Sequence, residues 1–369
     1  MKKLIAIAVV FALIASAAFA ETAISGTVSV RGYLFSDTLN DNENTATMTG
    51  QIETVYVQMS GTNDEGTFGG LIRMRGNETG GAYHRAFAWW KPIPQLQIFW
   101  GQDPDGKFGP YNAWSFFQGQ ESYAHDHDWG AWRAPFPGNW DSLGLAFSLY
   151  PADGLEVNLV VPLPGTNSTS KNFGDVWGGS LQLMSSYAIP QIGKAFLTVQ
   201  GPGRNIFGDE TVHNNYGVIG VGFLLTAVEG FDVQLGFATT LPGEVKDYPA
   251  FLGLIANYTG GEFGVRFRSR LVLSGSGGNY GTYVKDGSEL AFDVQPWYNF
   301  GAFTAYLSIG MVSTQGTTGD PTNQFILNPY IRIGLGGGSI RLGVLFKDGN
   351  LDQDNDATIR VPLVFGYSF

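Results

Sequence analysis

The 369-residue chain has no cysteine, so no disulfide can brace it. Histidine is scarce: His84, His125, His127 and His213 are the only four. None sits in a recognisable catalytic serine or aspartate context, which argues against a hydrolase that activates a nucleophile or water through imidazole. Charge is thin at 14% of residues and tilts acidic, with 21 Lys and Arg against 32 Asp and Glu and a formal net charge of −11. Nucleic-acid binding needs clustered positive charge and is excluded as a function class. Beyond residue 20 no apolar run is long enough for a transmembrane helix. There are no heptads, and no Walker-type, CxxC or HExxH motif.

Glycine and aromatics fill the space those absences leave, with 52 Gly, 27 Phe, 16 Tyr and 9 Trp. Mean hydropathy is close to zero, at −0.01. At the N-terminus Lys2 and Lys3 precede an apolar run over 4–15 and a small-x-small triplet, Ala18-Phe19-Ala20. That order is the pattern of a secretory signal peptide, with cleavage expected before Glu21. Residues 1–20 are therefore set aside, and 21–369 is read as one domain. An exported chain without disulfides must hold itself by other means, and a closed ring of strand-to-strand hydrogen bonds is one.

Residues 357–369 set the register of this reading. Every second residue counted back from the end is apolar or aromatic: Phe369, Tyr367, Phe365, Leu363, Val361, Ile359. The other parity, Ser368, Gly366, Val364, Pro362, Arg360, Thr358, is mixed and mostly small or polar. Side chains alternate faces along a strand, so one face is greasy and the other is not. A final strand with alternating aromatics and a terminal Phe resembles the closing strand of bacterial outer-membrane β-barrels, with Phe365, Tyr367 and Phe369 as the closing signal. The resemblance implies the barrel-assembly machinery and outer-membrane lipid as partners.

Similar segments recur along the chain, and their pattern predicts an all-β, antiparallel up-and-down transmembrane barrel of 18 strands, or 16 if two segments fail. The connections alternate between short ones, such as Pro92-Ile93-Pro94 and Gly336-Gly337, and long polar ones, such as 163–175 and 274–287. Short turns on one rim and long loops on the other suit a membrane barrel. The link at 77–81 is the exception, short where a long one is due. Aromatics beside the short turns (Trp89, Trp90, Tyr150, Tyr187, Phe231, Tyr258, Phe263, Trp297, Tyr298, Phe303, Phe369) are expected to form the periplasmic girdle.

If the apolar parity of each strand meets lipid, then Arg31, Arg73, Arg75, Arg266, Arg268, Arg270, Arg332, Arg341 and Arg360 point inward. An arginine facing mid-bilayer lipid costs about 2–4 kcal/mol, which opposes the reverse arrangement. Because the last strand must pair with the first, Arg332, Arg341, Arg360 and Arg31 are expected to form a basic strip on one wall. Local pairing with acids is the competing reading for each of them.

Residues 102–141 form the second feature, about forty residues without alternation, a length at which loops are functional or disordered. Their aromatic content argues against disorder. The stretch follows the fifth strand, Leu96-Gln97-Ile98-Phe99-Trp100-Gly101-Gln102, and resembles in position the constriction loop of general bacterial porins, which folds into the lumen. No Pro-Glu-Phe-Gly-Gly-type signature occurs within it. Its acids, Asp103, Asp105, Glu121, Asp126, Asp128 and Asp141, would face the arginine wall and set up a transverse field. Trp114, Phe116, Phe117, Trp129 and Trp132 are candidates to stack on sugar rings or to anchor the loop. His125 and His127, and separately Asp352, Asp354 and Asp356, have metal-ligand chemistry. Two neighbouring histidines do not close a site, however, and the acidic triplet lacks the Gly and terminal Glu of a calcium loop. No metal and no cofactor is therefore expected.

The function expected from this resemblance is an outer-membrane porin, a water-filled channel for passive diffusion of small hydrophilic solutes or ions, without enzymatic chemistry. Alternatives are a sugar- or anion-selective porin, or an adhesin or structural barrel. The general-porin resemblance also implies a homotrimer.

Overall fold

In a computed structural model the chain folds into strands alone over the described residues, which are 21–38, 47–77, 80–102, 143–162, 182–200, 217–241, 250–273, 287–316, 322–348 and 357–368. The segments run from β1 (Glu21–Thr38) through β2 (Thr47–Thr62), β3 (Phe68–Asn77), β4 (Gly80–Ile93), β5 (Leu96–Gln102), β6 (Leu143–Ala152), β7 (Leu155–Pro162), β8 (Gln182–Ile189) and β9 (Gly193–Gln200). They continue with β10 (Gly217–Leu225), β11 (Phe231–Leu241), β12 (Ala250–Gly260), β13 (Phe263–Leu273), β14 (Gly287–Asn299), β15 (Thr304–Gly316), β16 (Thr322–Leu335), β17 (Gly338–Gly343), β18 (Leu345–Asp348) and β19 (Thr358–Ser368). Apart from β17 with β18, each pairs antiparallel with its neighbour in sequence, and β1 pairs with both β2 and β19, which closes the sheet. β17 and β18 are one stave interrupted at Val344, since both lie between β16 and β19. The barrel thus has eighteen staves, and the lower count of 16 is set aside.

Closure satisfies every strand edge within the sheet, which is what a strand needs in a medium without water. The closing seam is long: β1 and β19 pair from Thr27↔Ser368 to Thr38↔Thr358, with one irregularity at Tyr33/Phe35. At its end the hydroxyls of Thr27 and Ser368 lie 2.9 Å apart.

The turns from β2 to β3, β4 to β5 and so on to β16 to β17 all lie on one rim and are short. Local chemistry sets their shape. Asn63 Oδ1 accepts from the backbone N–H groups of Thr67 and Phe68 at 2.8 and 2.9 Å, and Asn299 Oδ1 accepts from Gly301 N–H at 2.9 Å. Gly301 has φ +82°, a left-handed conformation that glycine adopts without steric cost. Connections at the other rim lie outside the described residues, including all of 103–142. The exception at 77–81 stands: β3 ends at Asn77 and β4 begins at Gly80.

The two parities separate as the alternation requires. Outward positions hold the exposed large apolar residues, among them Trp100 at 65%, Val221, Leu235, Phe237, Leu252, Leu307, Ile309, Phe325, Leu342 and Phe365. Inward positions hold the buried ones, both polar and apolar. This inverts the usual water-soluble arrangement and suits lipid outside.

Candidate functional site

The inner wall divides into two halves of different chemistry. From β3 to β8 it carries an apolar cluster, Leu71, Phe87, Phe99, Ala146, Val160 and Met184 with Trp89 against it, beside the buried polar side chains of Ser148 and Asn158. The Phe87 and Phe99 rings meet at 6.1 Å and 56°. This strip was missed by the strand-parity argument, which placed apolar residues outside. Its signal was present in runs that are apolar on both parities, such as Leu159-Val160-Val161 and Ile98-Phe99-Trp100, the pattern of strands covered on both faces.

From β11 round to β1 polar and charged side chains form cross-strand rows on the inner wall, between buried apolar residues such as Ile255, Ile326 and Leu345. In the first row Asn257 donates to Asp232 at 2.7 Å, and Arg266 donates through Nε to Asn257 Oδ1 at 2.8 Å. Arg266 lies opposite Gln295, whose Nε2 donates to Ser308 Oγ at 2.8 Å and to Tyr330 OH at 3.3 Å. Asn328, opposite Ser308, is fully buried and neither of its amide atoms has a hydrogen-bond partner among the described groups. One row over, Arg268 grips Asp293 with two bonds, Nε to Oδ1 at 2.9 Å and a terminal nitrogen to Oδ2 at 3.2 Å, both side chains being nearly inaccessible. A further row, Arg31, Val364, Arg341, Arg332 and Thr304, stands in one register across β1, β19, β17, β16 and β15. Arg360 lies over the Tyr33 ring at 5.4 Å, on the same wall. No carboxylate occupies a described inward side-chain position of β15 to β19.

A closed barrel of this size with an apolar exterior and charged interior rows can be set beside solved structures. A BenF-like porin from Pseudomonas fluorescens Pf-5 matches at 10% identity over 95% of this chain and 99% of that one, with a TM-score of 0.60. Pseudomonas aeruginosa OpdQ matches at 11% identity over 94% and 98%, TM-score 0.58. Salmonella typhi OmpF, solved with daunomycin, matches at 12% identity over 94% and 97%, TM-score 0.54. The fold is that of the bacterial outer-membrane porins. No protein-family model and no curated protein sequence matches the chain.

On this porin fold the nine arginines picked out by parity fall into distinct situations. Arg268 is sealed in its ion pair, and Arg266 is held in the amide row. Arg73 donates to Gln58 and lies 4.7 Å over the Tyr56 ring. Arg31, Arg341, Arg332 and Arg360 gather on the seam wall, and Arg332 is exposed there. Arg75 and Arg270 have backbone positions opposite Tyr56 and Gly253, and their side chains lie outside the described set.

Phe365 and Tyr367 face outward on β19, and Phe369 is outside the described residues. So are the loop acids Asp103, Asp105, Glu121, Asp126, Asp128 and Asp141, the loop aromatics Trp114, Phe116, Phe117, Trp129 and Trp132, and the metal candidates His125, His127, Asp352, Asp354 and Asp356.

The aromatic girdle needs correcting. Trp90, Tyr187, Phe231, Phe263 and Tyr298 are exposed on the outer face. Trp89 and Trp297 are turned inward, because each is the chain neighbour of an outward ring and alternation sends it to the other face. Their indoles lie over the glycines opposite them. A Cβ at Gly69 would sit 2.5 Å from the Trp89 ring, and one at Gly264 would sit 2.1 Å from the Trp297 ring. Only glycine leaves room for either ring.

Proposed function

We propose that the protein is an outer-membrane porin, a water-filled channel for passive diffusion of small hydrophilic solutes with a preference for anions. The observation that carries this reading is the seam wall. Arg31, Arg341 and Arg332 stand in one cross-strand row, and Arg360 and Lys347 lie on the same wall, so five cations gather round the closing seam. Rows of fixed positive charge on a wet wall raise the local anion concentration and repel cations, without any chemical step. The neighbours' porin fold supports the channel reading, and the preference for anions rests on the seam wall alone. The expectation of loop acids at 103–141 facing this wall belongs to the proposal and would add a transverse field.

Reconstitution into planar bilayers tests it. Folded, purified protein is expected to conduct, and in a KCl gradient the zero-current potential is expected to take the sign of chloride selectivity. A cation-selective potential would overturn the preference, and a barrel that does not conduct would overturn the channel. The trimeric state implied by the porin resemblance is part of the same proposal, checked by the mass of the detergent-solubilised native assembly.

A further inference from the structure

On the inward faces of β14, β15 and β16 three aromatic side chains stand directly opposite one another, Trp297↔Tyr306↔Tyr330. The Tyr306 and Tyr330 rings stack with centroids 4.5 Å apart at 3°, and Trp297 and Tyr306 follow at 6.2 Å and 30°. The row spans two strand spacings, roughly 10 Å of wall. Its position is near the short-turn rim, since Trp297 lies just before the end of β14 and Tyr306 just after the start of β15.

These rings do not belong to a sealed core. Phe87 and Phe99 on the opposite wall are 8% and 3% exposed, whereas Trp297, Tyr306 and Tyr330 keep intermediate exposure on the inner side. The next row toward the rim is Asn299, Thr304, Arg332 and Arg341, in register across β14 to β17. An apolar strip therefore runs beside a line of amide, hydroxyl and guanidinium groups, with Arg332 exposed.

That juxtaposition matches one chemistry. A pyranose ring has a C–H surface that lies well against aromatic rings and hydroxyls around its rim, and an acidic substituent would reach a guanidinium. Aromatic edges and faces supply the apolar contact, and arginine grips carboxylate or phosphate oxygens in a forked geometry. We propose that the Trp297–Tyr306–Tyr330 row together with Arg332 is a binding subsite for acidic sugars, hexoses that carry a carboxylate or a phosphate, on the short-turn side of the lumen. The inference rests on the channel reading and deepens it by naming a solute class.

The test is block of ion current through reconstituted channels, with solute added on the short-turn side. Glucuronate is expected to interrupt the current at concentrations where glucose (ring without charge) and gluconate (charge without ring) do not. Glucose 6-phosphate in place of glucuronate distinguishes the acidic group: block by either one supports the subsite, and the stronger names the group. Arg332→Gln is expected to weaken glucuronate block about tenfold, the scale of one charge-assisted bond, measured relative to glucose in the same variant. Tyr306→Leu is expected to weaken it toward the level of gluconate. Equal block by gluconate and glucuronate would reduce the effect to charge alone and overturn the subsite, as would unchanged block in Arg332→Gln. The first three comparisons use only the native chain, so a variant that fails to fold does not remove the test. A native barrel with no ion current would overturn the channel itself, whereas current without discrimination among these solutes overturns only the subsite.

Discussion

Asp293 and Arg268 form a pair that neither partner can leave cheaply. Both are nearly inaccessible and joined by two bonds, so removing one leaves the other charged and buried. Asp293→Ala is expected to destabilise the barrel by about 3–5 kcal/mol, read from urea unfolding in detergent or from the heat-modifiable gel shift. Asn328 stands at the opposite extreme. It is fully buried, and its carboxamide has no hydrogen-bond partner among the described groups. Replacing such a group with an apolar one of similar volume removes a desolvation cost. Asn328→Leu is therefore expected to be neutral or to raise stability by about 1 kcal/mol in the same assay. A loss of several kcal/mol would show that the amide is satisfied in the membrane.

At the scale of the element, strands are paired by shape as well as by hydrogen bonds. Gly264 on β13 and Trp297 on β14 are directly opposite, and the indole occupies the space a Cβ would need. Gly264→Ala is expected to cost about 1–3 kcal/mol through overpacking, and Trp297→Leu in the same chain to recover most of it. The outer face obeys a different rule. Leu307 is exposed on β15, one residue from inward Tyr306 and Ser308. Ile309→Arg, on the same outer face and further from the short-turn rim, is expected to lower stability in lipid by up to about 2–4 kcal/mol, and Leu307→Arg by less.

At the scale of the whole molecule the distribution of charge matters more than its sum. The chain is net acidic at −11, yet the seam wall is basic. Field at the conducting surface depends on near charges, because salt screens those beyond about 8 Å at physiological ionic strength. Arg332→Gln with Arg341→Gln is therefore expected to move the zero-current potential toward the cation side, and the shift is expected to shrink as ionic strength rises. An unchanged potential would place the selectivity elsewhere in the lumen.

Alternation along the chain, plainest in 357–369 and 262–273, was enough to indicate a closed barrel of 18 or 16 strands and the seam between its last and first strands. Period-two patterning is a local property, and a one-residue slip would put guanidinium groups into lipid. The signs that remained hidden are relations between strands. Arg268 could not be paired with Asp293, nor Tyr306 with Tyr330, until cross-strand register was set, because their separation in the chain carries no information about it. Likewise Trp89 and Trp297 were read as girdle residues beside their outward neighbours, and the inner apolar strip from Leu71 to Met184 went unseen, since an apolar residue on the minority parity looks like noise until curvature brings six strands round one inner surface. Sequence alone thus determined which face of each strand meets lipid, a matter of solvation. Tertiary structure decided which inward groups meet one another, because that depends on the stagger of a closed sheet.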